Sequence, residues 1–257
     1  MIELDSGKYL EAWKNRTIHK NIDSMIMPLN KEQAYNIQIE YEKVSNSPLF
    51  GWKIAATSLE GQKHIGVNEP IAGRLLKERY NKSGASVSLK KNQMKKVEAE
   101  FAFKLLDDIS PRSEKYTINE VVENIESVGP AIEIPDSRFL NFDKIGSNLV
   151  IADNAFACDF ILNDNFVSSF KDIDFKNFKV SCYKNNELSE KGIGSNVLGD
   201  PIKALTWIIN ELSSINVTCK KHQIIITGTC IKPLTVRPGD NIVMDFYDLG
   251  SVECDLV

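Results

Sequence analysis

The sequence is poor in the patterns that assign a chain to several large functional classes. Its 5 cysteines are scattered, odd in number and never in a C-x-x-C pair, and its 3 histidines form neither an H-x-H nor an H-E-x-x-H spacing. These absences argue against a disulfide framework and against a zinc site. The 31 basic and 35 acidic residues are intermingled, without a basic cluster that carries interleaved aromatics. Nucleic-acid binding is therefore not expected.

Long apolar segments and a secretory leader are missing as well. Apolar runs such as Ile224–Ile226 are far too short to span a bilayer, so no membrane association is expected. The first residues, Met1–Asp5, carry acids where a signal peptide has a basic and then an apolar stretch. We therefore expect a cytoplasmic protein with reduced thiols. The 42% apolar and 26% charged residues of the 257-residue chain are typical of a soluble globular protein.

The N-terminal region has helical patterns, and the rest of the chain is dominated by strand-like runs. Residues 9–13 open one helix, and Asn30 is placed to cap a second helix that ends at Lys43. Pro48 ends this region. The predicted strands are residues 52–56, 86–89, 97–106, 130–134, 155–162, 178–183, 223–227, 241–247 and 251–257.

Two further helices interrupt the strands. Thr117 and Glu120 form a capping box that leads into the first. Asp200 caps the second, which starts with Pro201 and runs to Leu212.

These elements predict an α+β fold. We expect a helical N-terminal arm, residues 1–48, to pack on a largely β body, residues 49–257. The sequence contains no internal repeat, low-complexity tract or linker, so the two parts are expected to form one structural unit.

The most informative stretch is Val97–Phe103, in which two glutamates alternate with apolar residues. Side chains two apart on a strand point to the same side, so Glu98 and Glu100 face one way while the apolar residues face the core. Two like charges about 6 Å apart repel by roughly 3 kcal/mol at an effective dielectric constant of about 20. A half-buried strand tolerates this only if water, a proton or a cation relieves it, so the face resembles half of a metal site. The alternative is a solvated outer face.

A third acid and a lysine occur in the same kind of setting. Glu133 is flanked by two isoleucines, and Lys53 by a tryptophan and an isoleucine, each within a predicted strand. Taken singly, each charge fits a solvated strand face. Taken together, they predict three carboxylates and an ammonium that converge on one cleft.

Ordered motifs run from about residue 50 to the C-terminus. They are Gly51–Ile54, Gly66–Pro70 with Gly73–Leu76, Val97–Glu100, Pro130–Arg138, Ala152–Ala155, Val197–Pro201, Arg237–Asp240 and Leu249–Val252. In order and type they resemble the 2-keto-4-pentenoate hydratase branch of the fumarylacetoacetate hydrolase superfamily. The resemblance implies a mixed β-roll fold, assembly into homodimers or larger oligomers, and action on small 2-oxo acids or their dienol forms.

The resemblance also implies roles for individual residues. By position, Glu98, Glu100 and Glu133 correspond to the three acids that hold a divalent cation. An all-carboxylate set favours a hard ion such as Mg²⁺ or Mn²⁺. Lys53 corresponds to a catalytic lysine near the reacting oxygen, where its charge would stabilise an enolate.

Five further residues are expected to bind substrate. Thr57 and Ser58 directly follow the first motif and are candidates for the substrate carboxylate, with ordinary turn hydroxyls as the alternative. Asn154 and Thr229 are expected as additional contacts. Lys232 is a candidate for recognising a second carboxylate on a dicarboxylic 2-oxo acid, and the alternative is an exposed loop lysine.

Three departures from the hydratase pattern leave the reaction open. Ile71 follows Pro70 where hydratases usually carry an acid/base aspartate, and a hydrocarbon side chain cannot move protons. Phe156 stands where a small hydroxyl residue is usual, and the loop of residues 227–233 differs from the typical sequence. His64 is a candidate replacement base, with a surface histidine as the alternative.

The leading hypothesis is a metal-dependent lyase that hydrates a small 2-oxo acid of an aromatic-degradation type. Within the superfamily, a decarboxylase of such an acid and a hydrolase that cleaves the C–C bond of an acylpyruvate are the alternatives. A non-catalytic protein that binds a 2-oxo acid through a metal chelate is the alternative from another class, and Ile71 motivates it.

Overall fold

The computed structural model describes residues 6–20 and 27–257 of the chain. Residues 1–5, whose acids bear on the expected compartment, lie outside the described residues, as does the segment 21–26 of the predicted helical region.

The N-terminal region forms two helices, α1 (Gly7–Asn15) and α2 (Lys31–Lys43). The predicted cap of α2 is confirmed, because the side chain of Asn30 accepts a hydrogen bond from the backbone N–H of Gln33 at 2.9 Å. The side-chain amide of Gln38 donates at 2.9 Å to two backbone carbonyls of the body. A buried polar side chain thus connects α2 to the segments that contain Ala72 and Ile151.

The body contains thirteen strands and four more helices. The strands are β1 (Gly51–Ala55), β2 (Ile71–Leu75), β3 (Tyr80–Lys82), β4 (Ala85–Val87), β5 (Lys96–Leu105), β6 (Ile125–Ile134), β7 (Asp159–Leu162), β8 (Lys179–Lys184), β9 (Glu187–Ile193), β10 (Ile224–Thr229), β11 (Leu234–Thr235), β12 (Asn241–Asp245) and β13 (Ser251–Leu256). The helices are α3 (Leu59–Ile65), α4 (Ile118–Glu123), α5 (Ser147–Ala152) and α6 (Pro201–Ser214).

The strands form two mixed sheets, which confirms the α+β class. The larger, 8-stranded sheet has the order β2-β1-β10-β5-β6-β7-β3, with β11 paired to β5. The smaller, 5-stranded sheet has the order β4-β13-β12-β8-β9. β5 and β6 are central in the larger sheet. Each has a neighbouring strand along both of its edges, and these neighbours shield its side chains from solvent.

The main core lies between the two sheets. Phe101 on β5 makes edge contacts with Phe175 and Phe246, with ring centroids 5.5 and 5.1 Å apart. Val97, Ala99, Phe101 and Phe103 are fully buried, as their alternation with the glutamates predicts. Full burial of a phenylalanine side chain stabilises the folded state by about 1.5–3 kcal/mol. Because this apolar face of β5 packs in the core, the acids lie on the opposite face of the strand.

Both helices predicted from caps in the body are confirmed. The reciprocal side-chain bonds of Thr117 and Glu120 are both present at the start of α4. The carboxylate of Asp200 accepts from the backbone N–H of Ile202 at 2.8 Å, and Pro201 is the first residue of α6.

Two predicted strands begin elsewhere, and several elements have no counterpart in the sequence prediction. The strand expected at 155–162 starts at Asp159, because residues 154–156 form a left-handed turn. The strand expected at 130–134 starts at Ile125, directly after α4. The elements that the sequence did not predict are α3, α5, β2, β3, β9 and β11. In β2 every residue is buried, Arg74 included, so the alternation that marks a strand is absent.

All 5 cysteines are buried and unpaired, as expected. Within residues 6–20 and 27–257, no helix has the length and apolar character needed to cross a bilayer.

Candidate active site

The three acids predicted from the strand pattern converge where β5 and β6 pair. Glu98 lies opposite Glu133 in the antiparallel register, and Glu100 follows on the same face of β5. One carboxylate oxygen from each lies within 4.8 Å of the others. Glu100 and Glu133 are buried, whereas Glu98 is partly exposed. Adjacent strands thus bring together carboxylates that the sequence places far apart.

Lys53 on β1 completes the cluster. Its Nζ lies 2.9 Å from Oε1 of Glu133 and donates at 3.1 Å to the backbone carbonyl of Ala155. The side chain is almost completely buried. The predicted meeting of three carboxylates and one ammonium is therefore present.

The buried charges shift one another's protonation. Burial, with a contribution from Glu133, raises the pKa of Glu98 to about 7. Burial and the two neighbouring acids raise the pKa of Glu100 well above its ordinary value. Burial alone would lower the pKa of Lys53, but the facing carboxylates outweigh it and the net pKa is raised. With all three acids ionised, the cluster would hold more negative charge than the lysine alone relieves.

Three buried oxygens of this cluster lack a hydrogen-bond donor among the described residues. Oε2 of Glu100 accepts from the backbone N–H of Gly228 at 2.7 Å, but its Oε1 accepts none. Neither oxygen of Glu133 accepts one, and its Oε1 meets Lys53 only as an ion pair. Leaving a buried acceptor unpaired is costly, and hard divalent cations bind carboxylate oxygens. The donor set therefore fits an ion such as Mg²⁺ or Mn²⁺.

A bulge in β10 orients the backbone N–H of Gly228 toward the carboxylate of Glu100. The register of β10 against β5 shifts between Ile226 and Thr229. Within this bulge Gly228 has a φ of 96°, and a Cβ there would lie 2.3 Å from Oγ1 of Thr57. Glycine is required at this position both by the φ angle and by the close approach of Thr57.

A cavity of about 720 Å³ opens on the cluster. Of the residues predicted from the sequence, it is lined by Lys53, Glu98, Thr57, Ser58, Thr229, Lys232 and His64. Some of their polar atoms have partners within the protein. Oγ of Ser58 accepts from the N–H of Gly61 at 3.0 Å as the N-cap of α3, and Oγ1 of Thr229 donates to the carbonyl of Ile231 at 2.9 Å.

Asn154 does not lie where a substrate contact was expected. It is buried and does not line the cavity. Its side-chain oxygen accepts from the backbone N–H of Arg74 at 2.7 Å, and its side-chain nitrogen donates to the carbonyl of the same residue at 2.9 Å. The hydrogen bonds of its side-chain amide therefore go to the backbone of β2.

Helix α3 brings two titratable groups to the cavity, and sequence reasoning missed one of them. Glu60 and His64 are one helical turn apart, and both line the cavity. The missed signal was the pair of helix ends, with Ser58 as the N-cap and Gly66 as a left-handed C-cap. Ile71, where an aspartate is usual, is buried in the hydrophobic core and does not line the cavity.

Known proteins were compared with the whole chain. No family model matches it. A 4-oxalocrotonate decarboxylase from Pseudomonas putida is 31% identical over 227 residues, which cover 87% of this chain and 84% of the relative. The chain belongs to the hydratase-like branch of the fumarylacetoacetate hydrolase superfamily. The resemblance carried by the ordered motifs is thereby confirmed.

Further relatives of this hydratase-like protein agree over nearly the full chain. A 2-oxo-hept-4-ene-1,7-dioate hydratase from Escherichia coli is 28% identical over 255 residues, covering 96% of this chain and 94% of the relative. A solved 4-oxalocrotonate decarboxylase from Pseudomonas putida G7, complexed with magnesium and adipate, has a TM-score of 0.86 and 27% identity over 98% of this chain and 95% of that chain. The chain is accordingly an enzyme of the hydratase and lyase kind.

Proposed function

We propose that the chain is a divalent-metal-dependent hydro-lyase that hydrates a small 2-oxo acid or its 2-hydroxydienoic form, such as 2-keto-4-pentenoate. The observation that carries this proposal is the cluster of three carboxylates with unpaired buried oxygens, open to a cavity and paired with a buried lysine. Relatives named as hydratases support the same reaction class.

Glu98, Glu100 and Glu133 would hold the cation, Mg²⁺ or Mn²⁺. The magnesium in the related decarboxylase supports a divalent ion. When bound, such an ion supplies an electrophile that stabilises negative charge on the 2-oxo oxygen of the substrate.

Lys53 is proposed as the catalytic cation of the chain itself. The carbonyl of Ala155 takes one N–H of its ammonium, and Oε1 of Glu133 lies 2.9 Å from Nζ as an ion pair. A lysine ammonium has three N–H groups, so one is left for the cavity that Lys53 lines. A fixed donor of this kind stabilises the enolate oxygen more than the ground-state carbonyl, which lowers the barrier.

Helix α3 is proposed to move the protons. Adding water to the conjugated acid requires a proton to be delivered to carbon and one to be removed from water. His64 can do both because an imidazole accepts and donates protons near neutral pH. It would take the place of the aspartate that Ile71 replaces, with Glu60 one turn away on the same side of the cavity.

Thr57 and Ser58 are proposed to contact the substrate carboxylate, with Thr229 as a further contact in the same cavity. Lys232 is proposed to bind a second carboxylate at the far end of a dicarboxylic substrate. The relatives named above act on a dioate and on oxalocrotonate, and the solved decarboxylase binds adipate. These names support a dicarboxylic 2-oxo acid as a substrate to test first.

Decarboxylation is the second candidate reaction. The relative that is 31% identical is named a decarboxylase, and the same enolate stabilisation serves loss of carbon dioxide from a second carboxylate that is β or vinylogous to the 2-oxo group. Release of carbon dioxide distinguishes it from hydration, in which the product retains every carbon atom.

The deciding experiment is a screen of 2-oxo acids, dienols and acylpyruvates with added Mg²⁺ or Mn²⁺, following the loss of enol absorbance. We expect metal-dependent turnover that disappears on chelation. Full activity in Glu98→Ala, or without any metal, would overturn the proposal. Saturable binding of substrate without turnover would instead identify the non-catalytic alternative.

We also propose that the arm of residues 1–48 and the body of residues 49–257 act as one unit, in a cytoplasmic homodimer or larger oligomer. The bonds of Gln38 to the body support the first part. Light scattering after gel filtration measures the second, and a monomer at working concentration would contradict it.

A further inference from the structure

Three consecutive residues with side chains adopt a left-handed backbone beside Lys53. Their φ angles are 56° at Asn154, 52° at Ala155 and 62° at Phe156. Residues with a Cβ disfavour this region, so a run of three persists only where surrounding contacts over-determine it. Strain of this kind concentrates at functional sites.

Buried hydrogen bonds hold this turn from two directions. The side-chain amide of Asn154 bonds to both backbone groups of Arg74 on β2. One residue earlier, Asp153 accepts from Nε of Arg138 at 2.5 Å and from Oγ of Ser137 at 2.7 Å. The turn is thereby fastened to β2 and to the segment that follows β6.

The attachment of the turn to β2 places the backbone carbonyl of Ala155 next to Lys53. Gly73, directly before Arg74, is the register partner of Lys53 on β1. A Cβ at Gly73 would lie 2.6 Å from the carbonyl oxygen of Asn154 and 3.1 Å from Cδ of Lys53. The turn and the lysine therefore meet only because residue 73 lacks a side chain. At this meeting point the carbonyl of Ala155 accepts from Nζ of Lys53.

We propose that Asn154 is a positioning residue for Lys53. By fixing the left-handed turn, it holds the Ala155 carbonyl where it receives one N–H of the ammonium, while Glu133 forms an ion pair with the same ammonium. The confinement of the ammonium follows from these contacts alone, whereas its kinetic consequence rests on the proposed function.

The physical need for this arrangement lies in the flexibility of lysine. Its side chain has four rotatable bonds, and its ammonium is attracted by all three carboxylates of the cluster. The uncharged carbonyl of Ala155 holds the ammonium at one position by a hydrogen bond, and it adds no further negative charge to the cluster. A displacement of about 1 Å at a reacting centre can lower a rate about 100-fold.

The test replaces Asn154 by glycine. Glycine adopts a positive φ without strain, so Asn154→Gly removes the side-chain bonds while leaving the turn accessible to the backbone. We expect kcat to fall about 10–100-fold, as for other partners that orient a functional group. We expect KM and the affinity for Mg²⁺ to stay unchanged, because the proposed cation ligands and the substrate contacts are intact.

Asn210 on α6 offers a matched control. Its side-chain oxygen accepts from the backbone N–H of Tyr116 at 2.7 Å, and its nitrogen donates to the carbonyl of the same residue at 3.0 Å. Asn210→Ala removes this pair of bonds outside the site, together with a bond to the carbonyl of Thr206. It is expected to lower the resistance to urea but to leave kcat unchanged.

A second measurement does not depend on activity. Reductive methylation with formaldehyde and a borane, followed by peptide mass spectrometry, reports the reactivity of each lysine. We expect Lys53 to react faster in Asn154→Gly than in the unmodified chain or in Asn210→Ala, with the exposed Lys232 as internal reference. If Asn154→Gly fails to fold, Asn154→Asp, which keeps the bond from Arg74 N, carries the same two measurements.

An unchanged methylation rate of Lys53 would overturn the inference, as would an equal loss of kcat in Asn210→Ala. If the unmodified chain turns over no 2-oxo acid, the proposed function fails, and the methylation rates still decide the role of Asn154.

Discussion

Glu98 and Glu133 face each other directly across the antiparallel ladder of β5 and β6. Like charges in directly opposed positions destabilise a sheet, so this pairing needs a compensating cation. Lys53 forms its direct ion pair with Glu133, where its Nζ lies 2.9 Å from the carboxylate. The two acids therefore differ in what their removal should do.

Glu98→Leu and Glu133→Leu are both expected to abolish metal-dependent turnover. Their free energies of unfolding are expected to differ, with Glu133→Leu the less stable variant. Removing Glu133 leaves the buried Lys53 without its nearest partner, a change that costs about 3–5 kcal/mol for a buried pair. Removing Glu98 breaks no such pair. Urea unfolding of the metal-free variants measures the difference, and calorimetric titration with Mg²⁺ measures the lost affinity. Mg²⁺ binding as tight as in the unmodified chain would contradict the ligand assignment.

The stability of the metal-free chain should fall as the pH rises. Burial and Glu133 raise the pKa of Glu98 from 4.5 to about 7, so the folded state keeps a proton that the unfolded state releases above about 4.5. The resulting stability is fully present below the unfolded pKa and is lost as the pH rises through the folded pKa. Urea unfolding at several pH values should show this decline, with a smaller decline in Glu98→Gln. Added Mg²⁺ should restore stability at the higher pH, and a metal-free stability that rises over this range would contradict the prediction.

Gly228→Ala should weaken cation binding as well as folding. The new Cβ would lie 2.3 Å from Oγ1 of Thr57, and any shift of the bulge moves the N–H that fixes Glu100. Gly84→Ala is the matched control, because Gly84 has a φ of 86° and a Cβ there would have no described atom within 4 Å. Both variants should lose about 1–2 kcal/mol from the left-handed backbone. Only Gly228→Ala should also bind Mg²⁺ less tightly; equal affinities would show that the bulge does not position Glu100.

Lys232→Ala should discriminate between substrates with one and two carboxylates. Lys232 is exposed and lines the cavity, so its contribution should match that of an exposed ion pair. We expect KM for a dicarboxylic 2-oxo acid to rise roughly 2–5-fold, with KM for a monocarboxylic one unchanged. High salt should produce the same selective loss. Lys191→Ala, on the exposed strand β9, is the control, and equal losses on both substrates would dismiss the role.

His64→Gln should lower kcat on the order of 10²–10⁴-fold if His64 is the general base. Glu60→Gln tests the neighbouring carboxylate in the same way. Full activity in His64→Gln would leave His64 as a surface residue.

Much of the site could be predicted because its residues sit in regular strands. A period of two places Glu98 and Glu100 on one face whatever the neighbouring strands are. The same rule directed attention to Glu133 and Lys53, which are polar residues between apolar neighbours. Helix caps at Asn30 and Thr117 were equally local signals, and each is present in the structure.

The elements that escaped prediction are those whose pattern depends on distant contacts. β2 is buried along its whole length, with Arg74 stacked over Trp52 at 4.7 Å and bonded to Glu42 at 2.6 Å. A strand with a buried arginine and no alternation has no local signature. The amide of Asn154 was expected to meet substrate because its motif suggested a site residue, but only the packed turn shows that it bonds to Arg74.

The sequence by itself determined which face of β5 carries the acids, because side-chain direction along a strand follows from backbone geometry alone. It also determined the family, through motifs that keep their order along the chain. Only the tertiary structure decided that Glu133 lies opposite Glu98, that Lys53 reaches Glu133, and that Asn154 serves the backbone of Arg74. Those relationships arise from strand register and turn packing, which depend on the fit of many distant side chains at once.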